Sequence, residues 1–393
     1  MHFLAALTLL PLAICAPTEL TKRAPIYQKP TAQLIPNKYI VKLKENSAAD
    51  GVHATVATLG NIGNVSHVYG NGRFRGFAAE LDSKSLDDLQ KNPDVDWIEQ
   101  DAVVTINEFV TQKGAEWGLG RISHKAKGST EYVYDDSAGE GTCAYVIDTG
   151  VYTDHNEFGG RATFLANYID NDDVDGHGHG THVAGTIGGS TYGVSKKTKI
   201  YAVKVLNSQG SGSISAVLAG MDFVAKDAKT RDCPKGAVAN MSLGSDFSFT
   251  VNFAAQALVE AGVFLAVAAG NSARDARDTS PASEPSVCTV GASDKTDAIA
   301  YFSNYGSVVD VFAPGVDVVS SFIGGKDVTH TYSGTSMASP HVAGLGAYLL
   351  ALEGQKSPTE LCSYIQEIAT SGALSGVPSN TKNLVAFNGN PSA

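Results

Sequence analysis

Two patterns of apolar and polar positions follow one another along the chain. Between residues 38 and 106, short alternating and amphipathic segments recur in the order strand, helix, strand, strand, helix, strand. Lys38 to Lys44 alternates as a half-buried strand does, and Ser83 to Lys91 spaces Leu86 and Leu89 as a short helix does. This order predicts a small α+β ferredoxin-like unit. The pattern lapses around residues 107 to 114, where we expect a domain boundary.

Beyond that boundary, apolar runs alternate with amphipathic segments. The runs predict strands at Ala144–Ile147, Ile200–Val205, Ala237–Met241, Val263–Ala268, Val287–Val290 and Val308–Phe312. The segments predict helices at Ile214–Lys226, Val251–Ala261, Met337–Leu352 and Thr359–Ala369. Strands separated by helices indicate an α/β fold, a mostly parallel sheet with helices on both faces. Ligands bind such sheets beyond the carboxyl ends of the strands, where Asp148 and Asn271 follow two apolar runs.

Composition and charge narrow the class of protein. The 393 residues are 43% hydrophobic and 18% charged, so the chain can bury a large core and form more than one domain. The net charge of −11, with no block of Lys or Arg, argues against nucleic acid as a partner. An apolar run from Phe3 to Cys15, followed by Ala16, predicts a secretory signal peptide at residues 1–16. We therefore expect a secreted, extracellular protein without a membrane span, since no later run approaches about 20 apolar residues.

Five cysteines are present, and one of them, Cys15, lies in the predicted signal peptide. The other four are Cys143, Cys233, Cys288 and Cys362. An even number in an exported chain favours two disulfides, and counting alone leaves three pairings open.

Three short motifs indicate nucleophilic catalysis. Asp148 ends Val-Ile-Asp, His179 lies in Gly-His-Gly-Thr-His-Val-Ala-Gly, and Ser336 lies in Gly-Thr-Ser-Met-Ala-Ser-Pro. A serine hydroxyl needs a neighbouring imidazole to accept its proton, and a carboxylate orients that imidazole. Asn271 would donate its amide N–H to an oxyanion beside the backbone N–H of Ser336. Each residue alone is more typical of a cap or a turn, but together they predict a serine endopeptidase that forms an acyl-enzyme.

Two alternatives remain open at this point. His177, His179 and His182 have a spacing that could hold zinc, which would make the protein a metal-dependent hydrolase. That hypothesis leaves the Asp and Ser motifs unexplained, so we expect no catalytic cofactor. The other alternative is a catalytically silent binding protein on the same scaffold.

These motifs resemble the subtilisin-type serine proteases, or subtilases, and specifically the proteinase K branch from fungi. The resemblance runs from about Trp117 to Asn388, and residues 38 to 106 resemble the family's inhibitory propeptide. With the signal peptide, it implies a propeptide at residues 17–109 and a protease domain at 110–393. The chain would be a zymogen that cleaves itself near Val110, with its own propeptide as inhibitor. The resemblance assigns the triad to Asp148, His179 and Ser336, and the oxyanion partner to Asn271.

The resemblance also implies further site residues. Substrate backbone would pair with two extended edges, Gly210, Ser211, Gly212 and Ser242, Leu243, Gly244. The pocket floor would be Ala268, Ala269 and Gly270, which predicts broad cleavage of proteins and peptides after hydrophobic or aromatic residues. The cysteines would pair as Cys143–Cys233 and Cys288–Cys362. Structural calcium would bind Pro285, Val287 and Asp310. We expect a monomer, and a sequon at Asn64 predicts glycosylation there.

Overall fold

The computed structural model describes residues 23–28, 34–45, 51–58, 65–70, 73–103 and 109–393. The chain divides into two compact units, residues 1–105 and 106–393. The predicted signal peptide at residues 1–16 and the sequon at Asn64 lie outside the described residues. The boundary after residue 109 stays a prediction.

The first unit is built on a five-stranded sheet in the order β1-β5-β2-β4-β3. Its elements are β1 (Ile26–Tyr27), β2 (Leu34–Leu43), α1 (Gly51–Thr58), β3 (Val65–Tyr69), β4 (Gly76–Glu80), α2 (Ser83–Lys91) and β5 (Val95–Ala102). Leu43, Phe77 and Ile98 from three strands pack with Leu89 of α2 in one apolar core. The Asp82 side chain accepts a hydrogen bond from Ser85 N at 2.7 Å and caps α2. The predicted α+β unit is therefore confirmed, with β1 as an addition too short for a sequence pattern to indicate.

The second unit contains a nine-stranded sheet in the order β19-β20-β16-β15-β13-β11-β8-β10-β9, in which only β19 pairs in an antiparallel sense. The strands of this unit are β6 (Phe109–Lys113), β7 (Glu131–Asp135), β8 (Thr142–Asp148), β9 (Ala162–Asn167), β10 (Lys199–Lys204), β11 (Gly236–Met241), β12 (Ser245–Asp246), β13 (Val263–Ala268), β14 (Thr279–Ser280), β15 (Cys288–Ser293), β16 (Val311–Pro314), β17 (Val318–Ser321), β18 (Thr329–Tyr332), β19 (Thr370–Ser371) and β20 (Leu384–Val385). The helices are α3 (Trp117–Ser123), α4 (His179–Gly188), α5 (Ile214–Asp227), α6 (Phe249–Glu260), α7 (Thr335–Glu353) and α8 (Pro358–Ile368).

Helices cover both faces of this sheet. Along β8, Ala144 and Val146 face a core that includes α4, α7 and α8, whereas Tyr145 and Ile147 face a core that includes α5 and α6. A strand buried on both faces needs apolar residues at every position, which is why β8 and β13 were visible as continuous apolar runs. The predicted α/β class is confirmed. Among the described residues, none of the helices has the length and apolar character needed to cross a bilayer.

One predicted strand begins later than expected. The run from Val308 to Phe312 is extended only from Val311, because Gly306, at a φ of 116°, opens a turn that Val309 N closes by donating to Gly306 O at 3.1 Å. The ends of the central strands nevertheless meet at one edge of the sheet, as expected. Asp148 is the last residue of β8, and Asn271 follows β13 after Gly270.

Candidate active site

Asp148 and His179 form a hydrogen-bonded pair at this edge. Nδ1 of His179 lies 2.8 Å from Oδ1 of Asp148. The same oxygen accepts a hydrogen bond from Thr149 N at 2.7 Å, and the Asp148 side chain is fully buried. A buried carboxylate at this distance holds the imidazole with Nδ1 protonated, which leaves Nε2 as the basic nitrogen.

A tight turn before α4 presents His179. Gly178 has a φ of 96°, which favours glycine, and His179 is the first residue of the helix. A side chain at Gly180 would meet Gly150 O at 2.0 Å, so this turn lies directly against the loop after β8. The glycines of this motif therefore serve the close approach of His179 to Asp148.

The carboxylate of Asp175 organises the turn, and sequence reasoning did not single it out. Its Oδ1 accepts hydrogen bonds from His177 N at 3.1 Å, Gly178 N at 2.8 Å and Thr149 Oγ1 at 2.8 Å. Its Oδ2 accepts from Thr181 N at 2.9 Å and Thr181 Oγ1 at 2.6 Å. The sequence does carry one signal for this role, an acid just before a glycine-rich turn and a helix. The spacing could not indicate the partner Thr149, however, because it lies 26 residues away along the chain.

Electrostatics favour a proton on His179. Burial by itself lowers the pKa of His179, whereas the Asp148 charge, the hydrogen bond that His179 donates to Asp148, and the Asp175 charge raise it. The three raising contributions outweigh burial, so the pKa lies above its ordinary value of 6.5. The protonated form of His179 is therefore stabilised.

Ser336 lies in the first turn of α7 and is half-buried. In this conformation its Oγ donates to Ser242 O at 3.2 Å, rather than to His179, and Ser242 Oγ donates back to Ser336 O at 2.7 Å. Hydrogen bonds of catalytic groups are often long or misdirected in the free enzyme. The structure thus joins Asp148 to His179 and Ser336 to Ser242, each through direct hydrogen bonds.

The amide of Asn271 is held in one orientation by Thr335, a residue that sequence reasoning missed. Asn271 Oδ1 accepts hydrogen bonds from Thr335 N at 2.8 Å and Thr335 Oγ1 at 2.9 Å. With Oδ1 engaged there, Nδ2 is left to donate elsewhere. Within the described residues the backbone N–H of Ser336 has no partner, as expected in the first turn of a helix. Two N–H donors thus lie beside Ser336.

Two adjoining cavities form the cleft and share the wall from Ser242 to Ser245. The first, of about 470 Å³, is lined by His179 and both predicted edges, Gly210–Gly212 and Ser242–Gly244. The second, of about 320 Å³, is lined by Ser336, Asn271, Ala268 and Gly270. His179 and Ser336 therefore line two adjoining parts of one cleft.

Two details of the predicted cleft differ. Ala269 does not line either cavity, because its side chain packs in the core of the α5 and α6 face. Its carbonyl accepts a hydrogen bond from Asn304 Nδ2 at 2.8 Å. Gly210 is not extended, since its φ is 72° and its N–H donates to Asn207 O at 2.9 Å to close a turn. The expected edge begins only after this turn.

Comparison with known proteins identifies the chain. The subtilase family matches residues 139–384, and peptidase inhibitor I9 matches residues 38–107. The chain belongs to the subtilase family. A cuticle-degrading protease of Metarhizium anisopliae is 55% identical over 99% of this chain and 100% of that protein. Proteinase R of Parengyodontium album is 53% identical over 96% of this chain and 95% of that protein. The crystal structure of a cold adapted subtilisin-like serine proteinase has 43% identity and a TM-score of 0.66, covering 70% of this chain and 99% of that one. The protein is thus a serine protease of the proteinase K branch with an inhibitory propeptide unit.

The three histidines of this subtilase do not assemble a metal site. His182 is buried, and its Nε2 lies 3.0 Å from Val318 O and 3.1 Å from His330 O. Burial lowers the pKa of His182 to about 3, so the ring is neutral and donates to these carbonyls. His179 Nδ1 is engaged by Asp148. In the described part of the chain, the grouping of three potential ligand side chains is instead Cys288, Asp310 and Cys362, and both cysteines are in a disulfide.

Two disulfides join Cys143 to Cys233 and Cys288 to Cys362, with Cα–Cα distances of 5.6 Å in each. These are the pairs that the resemblance implies. They close chain segments of 90 and 74 residues. Closing loops of this length restricts the unfolded chain, which stabilises the fold by roughly 4–5 kcal/mol per bridge in the chain-entropy estimate.

The carboxylate of Asp310 forms a salt bridge with the lysine Lys382. Its Oδ2 accepts a hydrogen bond from Thr289 N at 3.0 Å, and its Oδ1 lies 3.0 Å from Lys382 Nζ. Lys382 Nζ also donates to Gln366 Oε1 at 2.8 Å. Burial raises the pKa of Asp310, and the Thr289 N–H and the Lys382 charge partly offset that rise. A carboxylate and the carbonyls of Pro285 and Val287 are hard ligands that suit calcium, and an ion here would compete with the ammonium for Oδ1.

Proposed function

We propose that this subtilase is a secreted endopeptidase that hydrolyses peptide bonds through Asp148, His179 and Ser336. The 2.8 Å hydrogen bond between Asp148 and His179, on the cleft that Ser336 lines, carries the proposal. Asn271 and the Ser336 N–H are the donors that would stabilise the oxyanion.

The reaction proceeds in two acyl transfers. Ser336 Oγ turns from Ser242 O toward the cleft and attacks the peptide carbonyl while its proton passes to His179 Nε2. The imidazolium is stabilised by Asp148, and it gives the proton to the leaving amine as the C–N bond breaks. Water then attacks the acyl-enzyme, with His179 again accepting and returning one proton, and releases the acid and free Ser336.

The cleft supports cleavage with broad specificity. The backbone of Gly212 and of Ser242 to Gly244 lines the cleft and can pair with an extended substrate, and such pairing does not depend on side-chain identity. The backbone of Ser211 is already bonded, since its N–H donates to Asn207 Oδ1 at 3.0 Å and its carbonyl accepts from Asn207 N at 2.9 Å. Ala268 and Gly270 leave room at the second cavity, which favours a hydrophobic or aromatic residue before the scissile bond. Protein and peptide substrates follow from this shape.

The remaining features belong to a secreted zymogen. Residues 1–16 act as signal peptide, and residues 17–109 act as inhibitory propeptide until self-cleavage near Val110. The match of residues 38–107 to an inhibitor family supports that role. Calcium has a structural role only, at Pro285, Val287 and Asp310, where it stabilises the native state by mass action. The mature enzyme works as a monomer, and Asn64 in the propeptide is glycosylated.

The test compares purified full-length wild type with Ser336→Ala. The wild type is expected to release its propeptide and hydrolyse casein, and a serine-directed organofluoride should abolish both at once. Ser336→Ala should remain uncut, whereas Ser307→Ala, at an exposed serine that lines neither cavity, should mature normally.

Three outcomes would contradict the proposal. Maturation of pure Ser336→Ala would exclude the nucleophile. Immediate loss of activity on adding a chelator would favour the metal-dependent hydrolase, because removal of structural calcium acts only slowly, through unfolding. A wild type without any hydrolysis would favour the silent binding protein.

A further inference from the structure

Three phenylalanines are exposed together near the start of α6. Phe247, Phe249 and Phe253, which we call the aromatic patch, are 47%, 82% and 73% exposed. The rings of Phe247 and Phe249 meet edge to face, with centroids 4.8 Å apart. Phe253 is one helical turn beyond Phe249 and therefore lies on the same face of α6. Soluble proteins rarely expose several large aromatic side chains side by side unless they bind something there.

The aromatic patch is joined rigidly to the cleft wall. Ser245, which lines both cavities, belongs to β12 and pairs with Ser280 of β14. Ser248 N donates to Ser280 Oγ at 2.9 Å, and the Ser248 side chain caps α6. Phe247 follows Gly244 by three residues, so it lies at most about 11 Å from the end of the predicted substrate edge. The patch thus extends the cleft surface without an intervening mobile segment.

The segment that carries the patch is uncharged. Residues 247 to 253, Phe-Ser-Phe-Thr-Val-Asn-Phe, contain no charged side chain. The adjacent Asp246 is paired with Arg274 Nη2 at 2.8 Å. The patch itself therefore offers no charge to a charged polymer, whereas leucine, phenylalanine or similar side chains would bury area against three rings.

We propose that the aromatic patch binds an apolar segment of the same polypeptide that is being cut in the cleft. The proposal rests on the proposed function of that cleft. An extended substrate advances about 3.3 Å per residue, so a segment roughly three or more residues beyond those paired with Ser242 to Gly244 reaches the patch. The enzyme then favours long protein substrates with apolar stretches over short peptides that share the same scissile bond.

The test uses the mature enzyme and the double variant Phe249→Ser/Phe253→Ser. Three peptides share one cleavable core: the core alone, the core with leucine- and phenylalanine-rich extensions at both ends, and the core with serine-glycine extensions. We expect the variant to lose about five- to tenfold in kcat/KM on the apolar-extended peptide, mainly through KM, and to cut the other two as the wild type does. Tyr301→Ser is the matched control, because Tyr301 is a 90% exposed aromatic residue outside the patch.

Other outcomes would contradict either the proposed role of the aromatic patch or the proposed function of the cleft. Equal rates of both enzymes on the apolar-extended peptide, or equal losses on all three peptides, overturn the proposal. So does a wild type that is dimeric by light scattering when the variant is monomeric, since a second copy would then be the occupant. A variant altered only in its inhibition by the released propeptide also overturns it. Failure of the wild type to cut the core peptide would instead refute the proposed function.

Discussion

The buried carboxylate of Asp175 offers a sharp perturbation of the site. Asp175→Asn keeps the size of the side chain and removes its charge. In the wild type, the Asp175 carboxylate accepts hydrogen bonds from five donors: Thr149 Oγ1, His177 N, Gly178 N, Thr181 N and Thr181 Oγ1. An amide presents one acceptor atom where the carboxylate presents two, so some of these donors must lose their partner.

The hydrogen bonds of Asp175 indicate how much stability the Asp175→Asn substitution should remove. If the amide nitrogen replaces Oδ1, the N–H groups of His177 and Gly178 both lose their acceptor. If it replaces Oδ2, only Thr181 N does, because the Thr181 hydroxyl can turn to accept. The second orientation is cheaper and leaves one buried N–H unpaired, which costs about 1–3 kcal/mol. We expect the free energy of unfolding to fall by about that amount.

The same substitution should move the pH profile in a defined direction. Burial lowers the pKa of His179, and the charges of Asp148 and Asp175 raise it above its ordinary value. Removing the Asp175 charge therefore lowers the pKa of His179. The base is active when neutral, so the acid limb of kcat/KM should shift to lower pH.

Both effects can be measured on the mature enzyme. The assay is kcat/KM for a short peptide across the acid range, with denaturant unfolding of the inhibitor-blocked enzyme for stability. Asp173→Asn is the control, because Asp173 lies in the same loop, is exposed, and accepts a side-chain hydrogen bond from Asn167 at 3.1 Å. An acid limb that stays in place or moves upward, or an Asp175→Asn enzyme as stable as the control, would refute the reasoning.

Three further predictions follow from other contacts. Asn271→Ala should lower kcat by about 10²- to 10³-fold with little change in KM, the loss typical when a subtilisin loses one oxyanion-hole donor; steady-state kinetics showing a smaller effect would argue against that role. Lys382→Met should raise calcium affinity, measured by calorimetry, by roughly tenfold or more, because the ion no longer competes with an ammonium at Asp310 Oδ1; equal affinities would contradict the competition. The free energy of unfolding should fall as pH drops from about 6 to 4, since burial lowers the pKa of His182 to about 3 and of His341 to about 4, whereas the unfolded chain takes up these protons near 6.5. Each histidine changes the free energy of unfolding by up to about 1.4 kcal/mol per pH unit. Denaturant titrations that give the same free energy of unfolding at pH 6 and pH 4 would contradict this prediction.

Sequence patterns predicted the elements that are buried on both sides or amphipathic. The strands β8 and β13 and the helices α5 and α7 all lie within two residues of their expected bounds. The exposed hairpin strand β18, Thr329–Tyr332, was not predicted, because it carries no apolar alternation. The helix α4 was not predicted for another reason. It is buried on nearly all sides and rich in glycine, so its sequence has no amphipathic period.

The amino-acid sequence alone determined the types of reactive group, their order along the chain, the α/β class and the family, because motifs and periodicity are local properties. Only the tertiary structure decided which groups meet. It joined His179 to an aspartate 31 residues away and Ser336 to Ser242 across 94 residues. It also directed Ala269 into the core and Lys382 onto Asp310. These contacts depend on how strands and helices pack across the sheet. The spacing of residues along one segment shows which face a side chain lies on, but it does not show which distant residue will contact that side chain.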